Sequence, residues 1–340
     1  MPDFLDARKL PSDLELRASA QQPQQRRVTD SLKVTERLNP FELEKRKLFV
    51  PPPETGAIIE RHRVEIPQIA QQDPYFFDFF TKELARNFHT LKAQIQHEHR
   101  QGNVYDDGLT ERITGIAAVQ TTNAVFAKEV ELMTDELTGM PNRVYQERVL
   151  EFWLQKAMEG GFPLTYMEAD MDGFKLVNTL VGHAGGDELI KASTKIGKSP
   201  LRELEVVGRK QGDELFFILP GVGLTQAAAT GQVIADRSKA YLINEVPGEK
   251  LAPDDQISLS GGIATFDPAI VYGSGRAPGE DADQTIRRIL STHGGVKRFA
   301  AELTDNADIA LSHAKSIPGK NRFETYTFGM QRVTDLPINR

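Results

Sequence analysis

The chain has 340 residues and a formal net charge of −7, with 26% charged and 39% hydrophobic side chains. This length predicts about two domains with ample chain for a core, and the acidic balance argues against a phosphate-binding surface of nucleic-acid size. Cysteine is absent, which excludes disulfides, thiolate nucleophiles and cysteine-based zinc sites.

The start, Met1-Pro2-Asp3-Phe4-Leu5-Asp6, lacks a basic stretch followed by an apolar one, so no signal peptide is expected. No apolar run reaches the ~18 residues of a membrane span. A cytoplasmic protein without nucleic-acid or membrane partners is the expectation. Residues 1–74 are proline-rich, with glutamines at Gln21, Gln22, Gln24 and Gln25 and the triplet Pro51-Pro52-Pro53. Proline removes backbone donors and the polar patch offers little to bury, which predicts an extended, partly disordered arm. It reads as a plain linker or as an arm that docks a protein partner.

At Asp73-Pro74 the pattern turns helical, with a capping aspartate, a proline suited to the first turn, and Tyr75, Phe76, Phe79, Phe80, Leu84, Phe88 and Leu91 recurring at helical spacing. Gln101-Gly102-Asn103 breaks it. A second helix is predicted over about 109–132, with Leu109, Ile113, Ile116, Ala127 and Val130 as its apolar stripe. Residues 75–134 therefore read as a helical regulatory or dimerisation region. Beyond them, helices are predicted at 144–158, 188–196, 226–243 and 306–316, and strands at 163–167, 256–265 and 321–328. The alternation predicts an α/β sheet with helices on one face. A segment over about 266–304, containing Gly273, Gly275, Gly294 and Gly295, reads as an insertion, mobile at its start and helical at 282–290. Residues 331–340 form a tail.

A hairpin stands out within this region. Val206-Val207 begins one strand, Leu215–Leu219 forms the next, and Gln211-Gly212 is read as the corner. Asp213 and Glu214 leave the turn together. Acids beside a corner that lacks bulk suit a divalent cation and a phosphate held side by side.

From about 135 to 328 the residues resemble the GGDEF family of diguanylate cyclases. The resemblance rests on Asp135-x-Leu137-Thr138-Gly139-x-x-Asn142-Arg143, on Asp170-x-Asp172-x-Phe174-Lys175-x-x-Asn178, and on Gly182-His183-x-x-Gly186-Asp187. The signature stands as Gln211-Gly212-Asp213-Glu214-Leu215, with Ser260-x-Gly262 and Ala307-Asp308-x-Ala310-Leu311…Ala314-Lys315 following. The resemblance implies an α/β, ferredoxin-like palm over 135–330, its central sheet flanked by helices and preceded by the helical region. It implies a homodimer that condenses two GTP into cyclic di-GMP with Mg²⁺ or Mn²⁺. By the same resemblance Asp170, Asp213 and Glu214 hold metal, and Asp213, Glu214 and Lys175 are catalytic. Phe174, Asn178, Asp187, Gly212, Lys315 and Lys320 would bind substrate, with Asn178 and Asp187 reading guanine. Asp172 reads as a structural hydrogen-bonder, and Arg143 as the tie between the junction and the domain.

The departures from the family pattern are specific. Gln211 replaces the first glycine of the signature, Thr179 replaces an acid, and the spacing between Lys315 and Gly319 is one residue longer. The product-binding inhibitory motif stands as Arg202-Glu203-Leu204-Glu205. A second reading follows from them: a catalytically silent domain that binds GTP or cyclic di-GMP and regulates a protein partner.

Overall fold

The structure is a computed structural model, and it describes residues 40–101, 106–245, 257–270, 280–281, 284–285, 288, 291 and 294–333. The glutamine patch, Gly102-Asn103, Gly273 to Gly275, most of the predicted helix at 282–290 and most of the tail lie outside the described residues. Two compact units emerge, one spanning Glu42–Met133 and the other comprising Pro40 and Phe41, the first two residues of the first helix, with the chain from Thr134 onward. No described helix is long and apolar enough to cross a membrane.

The first unit is helical, and it starts well before residue 75. Helices α1 (Pro40–Lys45), α2 (Pro53–His62) and α3 (Gln68–Gln72) occupy a stretch expected to be extended. Prolines stand at N-terminal positions of these helices, where their missing N–H costs nothing. Helix α4 (Pro74–Arg100) is capped by the Asp73 carboxylate, which accepts from the N–H groups of Tyr75 at 2.9 Å and Phe76 at 3.3 Å. It packs on α5 (Asp107–Leu132) through Phe126, whose ring meets Phe76 and Phe80 at 5.7 and 5.5 Å between centroids. The predicted stripe of α5 is not its buried face. Thr114, Gly115, Ala118, Thr122 and Phe126 are buried, whereas Leu109, Ile113 and Ile116 are more than half exposed. Small residues win that face because they let two helices approach closely.

In the second unit Asn142 caps α6 (Arg143–Gly160), and strand β1 (Leu164–Asp172) runs through the centre of a five-stranded sheet. It is flanked by β3 (Glu214–Pro220) and β4 (Ser258–Phe266), both antiparallel to it. Strand β2 (Val206–Gln211) pairs antiparallel with β3, and the three-residue β5 (Phe323–Thr325) pairs parallel with β4. The predicted first and last strands are thus misjudged in opposite senses: β1 reaches five residues further, through both aspartates, while β5 is far shorter than 321–328. Helix α7 (Phe174–Lys198) runs through Gly182-His183 as a kink, with Gly182 at φ 79°. Helix α8 covers Leu224–Glu245, and α9 (Val296–Ser316) begins ten residues before the predicted start, so it takes up the end of the supposed insertion.

Helices cover both faces, not one. Met167, Ala169, Met171, Leu215, Phe217, Leu259 and Ile263 form an apolar face against Val177, Leu189 and Ile190 of α7 and Ile234 of α8. Strand side chains alternate, so the intervening residues face the other way. There α9 lies against Gly262, where any Cβ would collide with the α9 backbone at Ala307 and Leu311.

Candidate active site

The second face carries Tyr166, Glu168, Asp170 and Asp172 at successive alternate positions of β1. Strand register then assembles the site. Asp170 lies opposite Glu214 of β3 on one side and Ser260 of β4 on the other; Asp172 lies opposite Ser258. A two-residue turn, Gly212-Asp213, joins β2 to β3, with Gln211 paired to Glu214. The corner is one residue later than Gln211-Gly212, so Gln211 ends β2 and its side chain is exposed. Gly212 sits at φ 51°, in the left-handed region that glycine takes at no steric cost.

Asp213 is half-buried, and burial pushes its carboxyl up to about 6, with the negative charge of Asp170 adding to the rise. The Lys315 ammonium acts in the opposite sense, and Glu214 raises it further. Lys315, in the last turn of α9, donates directly to Asp170 Oδ1. Three acids from the ends of β1 and β3 and the turn between β2 and β3 therefore share one field, with one lysine opposing them. Oxygen-only donors under mutual repulsion match a hard divalent cation. Among the described residues no three His, Asp or Glu side chains form a metal cage by themselves. The group fits an ion that takes one or two carboxylates and completes its shell from phosphate oxygens and water, as Mg²⁺ does.

Asp172 is a structural residue. It is buried and accepts from Ser258 Oγ at 2.6 Å and Ser260 Oγ at 2.7 Å. Its other oxygen, Oδ1, has Lys320 Nζ at 3.9 Å and no hydrogen bond. Lys320 thus faces Asp172, while Lys315 faces the acid group. The turn carrying Lys320 runs through positive φ at Gly319, Lys320 and Asn321, and the Asn321 N–H donates to Ser260.

Phe174, Lys175, Asn178 and Asp187 lie on α7. Its N-cap, Gly173, offers no side-chain cap, so the N–H groups that open the helix are left without a side-chain acceptor, the arrangement that suits an anion. Phe174 packs on the apolar core, and Lys175 is exposed. Asn178 presses its amide oxygen where a Cβ at Gly186 would stand, which brings it next to Asp187 across the Gly182 kink. The structure records no contact between Asn178 or Asp187 and the acid group. Arg202 and Glu205 close on each other within one turn before β2: Glu205 is buried and accepts from both the backbone N–H and the guanidinium of Arg202.

Arg143 does not tie the junction to the domain, since it pairs with Glu147 on its own helix. Arg209 does so. Its guanidinium reaches Asp135 at 3.2 Å and donates to the Gly212 carbonyl at 2.8 Å, which fastens the turn at 134–142 to the hairpin corner. Also unforeseen is buried Glu168, which accepts from Lys210 at 2.5 Å and Tyr166 at 3.2 Å. Burial raises the Glu168 carboxyl, with Lys210 opposing the rise. An alternating strand shows which residues share a face, and Glu168 could be found that way; nothing in the linear pattern marks which cation crosses β3 to meet it.

Residues 132–289 match the family model described as "Diguanylate cyclase, GGDEF domain". The chain is 30% identical over 159 residues to diguanylate cyclase DgcP of Pseudomonas aeruginosa, covering 46% of this chain and 22% of that protein. It is 34% identical over 110 residues to the response regulator PleD of Caulobacter vibrioides, covering 32% of this chain and 23% of PleD. The match therefore spans less than a quarter of either relative. Among solved structures, the coiled coil and GGDEF domain of DgcB from Caulobacter crescentus, in complex with c-di-GMP, aligns at 21% identity and a TM-score of 0.44, covering 61% of this chain and 92% of that one.

Proposed function

The chain belongs, through residues 132–289, to the GGDEF diguanylate cyclase family, and from this premise we propose that it condenses two GTP into cyclic di-GMP with Mg²⁺ or Mn²⁺. In this reading two copies face each other, each holding one GTP, and the helical unit sets their alignment. The observation that carries it is the field shared by Asp170, Asp213 and Glu214 at the hairpin corner. The cation bound there would withdraw charge from the phosphate oxygens. Asp170 and Asp213 would hold it, with Glu214 as a further ligand or as the group that takes the ribose hydroxyl proton. Lys175 and the uncapped N–H groups at the start of α7 would hold the phosphates. Asp187, an acceptor, would take the N–H groups of guanine, and Asn178 would hold its edge. Lys315 donates to Asp170 and would turn to a phosphate once a cation takes its place.

The Lys315–Asp170 ion pair also favours the second reading. A lysine that stays on Asp170 blocks the cation, and the domain then binds GTP or cyclic di-GMP without turnover and acts through a protein partner. Incubating the purified chain with GTP and Mg²⁺ and identifying products by mass separates the two. Cyclic di-GMP from the wild type and none from Asp213→Ala is the expected result; GTP binding without product assigns the silent role.

A further inference from the structure

The helical unit contains a cavity of about 510 Å³, within the range of small-molecule sites. It opens between the end of α2 and the middle of α5. Three arginines line it, Arg61, Arg63 and Arg112, against one acid, Glu65. Arg61 is engaged by Glu111. Among the described residues, Arg63 and Arg112 pair with no acid. Arg63 is held at φ 49°, a left-handed conformation that costs a non-glycine residue about 1 kcal/mol or more, and Arg61 and Arg63 both line the cavity.

His62 adds a second observation. Its ring is wedged between Phe88, at 5.3 Å, and Gly115, where any Cβ would collide with the imidazole. The Nε2 atom is shut off from solvent and has no hydrogen-bond partner. A buried ring nitrogen left unsatisfied costs roughly 1–3 kcal/mol, so the wall of the cavity at His62 is held at a cost to the fold. Apolar side chains, Val64, Ile116 and Val119, complete the walls.

We propose that this cavity binds a small organic anion, with its carboxylate or phosphate on Arg63 and Arg112 and its apolar body on Val64, Ile116 and Val119. Guanidinium forks match both oxyanions, often through two parallel hydrogen bonds, and the apolar wall separates an organic anion from an inorganic one. The inference concerns the helical unit alone and does not rest on the reading of the acid site.

Calorimetric titration of the full chain with phenyl phosphate, benzoate, inorganic phosphate and benzamidine tests it. Phenyl phosphate or benzoate is expected to bind saturably with Kd below about 1 mM, and the tighter of the two identifies the headgroup. Inorganic phosphate is expected to bind about tenfold more weakly or not at all. Arg63→Ala and Arg112→Ala, both at exposed positions and checked for folding by circular dichroism, should each weaken binding about tenfold, and Glu65→Gln should tighten it. The proposal fails if neither organic anion gives saturable heat at about 10 mM. It also fails if affinity survives in the double arginine variant, or if cationic benzamidine binds as tightly as the anions.

Discussion

The two faces of the central sheet are made by the same strands and differ in almost every other respect. One face is apolar from Met167 through Met171 and packs on α7 and α8. The other carries Tyr166, Glu168, Asp170 and Asp172 in alternation, and each carboxylate there is met differently. Glu168 is answered by a lysine and a tyrosine, Asp172 by two serines, and Asp170 by Lys315. Asp213, at the turn, is answered least, and its carboxyl rises to about 6. Buried charge that is fully satisfied builds structure; charge left in surplus at the rim is where a cation and substrate would enter.

This contrast can be broken from either side. The largest expected effect is on the charged rim: Asp213→Asn should lower cyclic di-GMP synthesis by about a thousandfold or more, read as initial rate under saturating GTP. On the apolar face, Phe217→Ala should destabilise the protein by about 3–5 kcal/mol, measured by denaturant unfolding. Between the two lies Ser260→Ala, which strips one of two hydroxyls from Asp172 and should cost about 1–3 kcal/mol.

A smaller effect sharpens the comparison through pH. The folded-state pKa of Asp213 is raised from 3.8 to about 6, so the fold favours the protonated carboxyl. The cost of ionising it is absent below about pH 4, grows as pH climbs to about 6, and is constant above. Asp213→Asn should therefore be more stable than the wild type at pH 7 and equal to it below pH 4. The difference is on the order of 1 kcal/mol, since the carboxyl is half open to water and solvent screens much of the shift. The smallest expected change is Gln211→Gly. An exposed side chain at the end of β2 should leave stability within about 0.5–1 kcal/mol, with activity unchanged or raised.

Much of this was legible in the residues alone because local rules decide it. Asp73 caps where a capping residue stands before an apolar period, and the β2–β3 hairpin follows its β-branched and aromatic runs. What was not legible depends on partners distant in sequence. The exposure of Leu109, Ile113 and Ile116 follows from burial of the face that carries Thr114, Gly115, Ala118 and Thr122, where Gly115 meets His62 of α2 and Thr122 meets Asn87 of α4, and an apolar count inverts it. The extension of β1 through Asp170 and Asp172 depends on β4 supplying Ser258 and Ser260, nearly ninety residues away. Arg209 escaped notice for the same reason, since Asp135 and Gly212 meet it only once the hairpin is folded.

Direct observation of cation binding tests the central claim, that Asp170 and Asp213 share one site. Manganese titration followed by electron paramagnetic resonance, with a non-hydrolysable GTP analogue present, should show saturable binding in the wild type. Either Asp170→Asn or Asp213→Asn should remove it. Undiminished manganese binding in both variants would contradict the account.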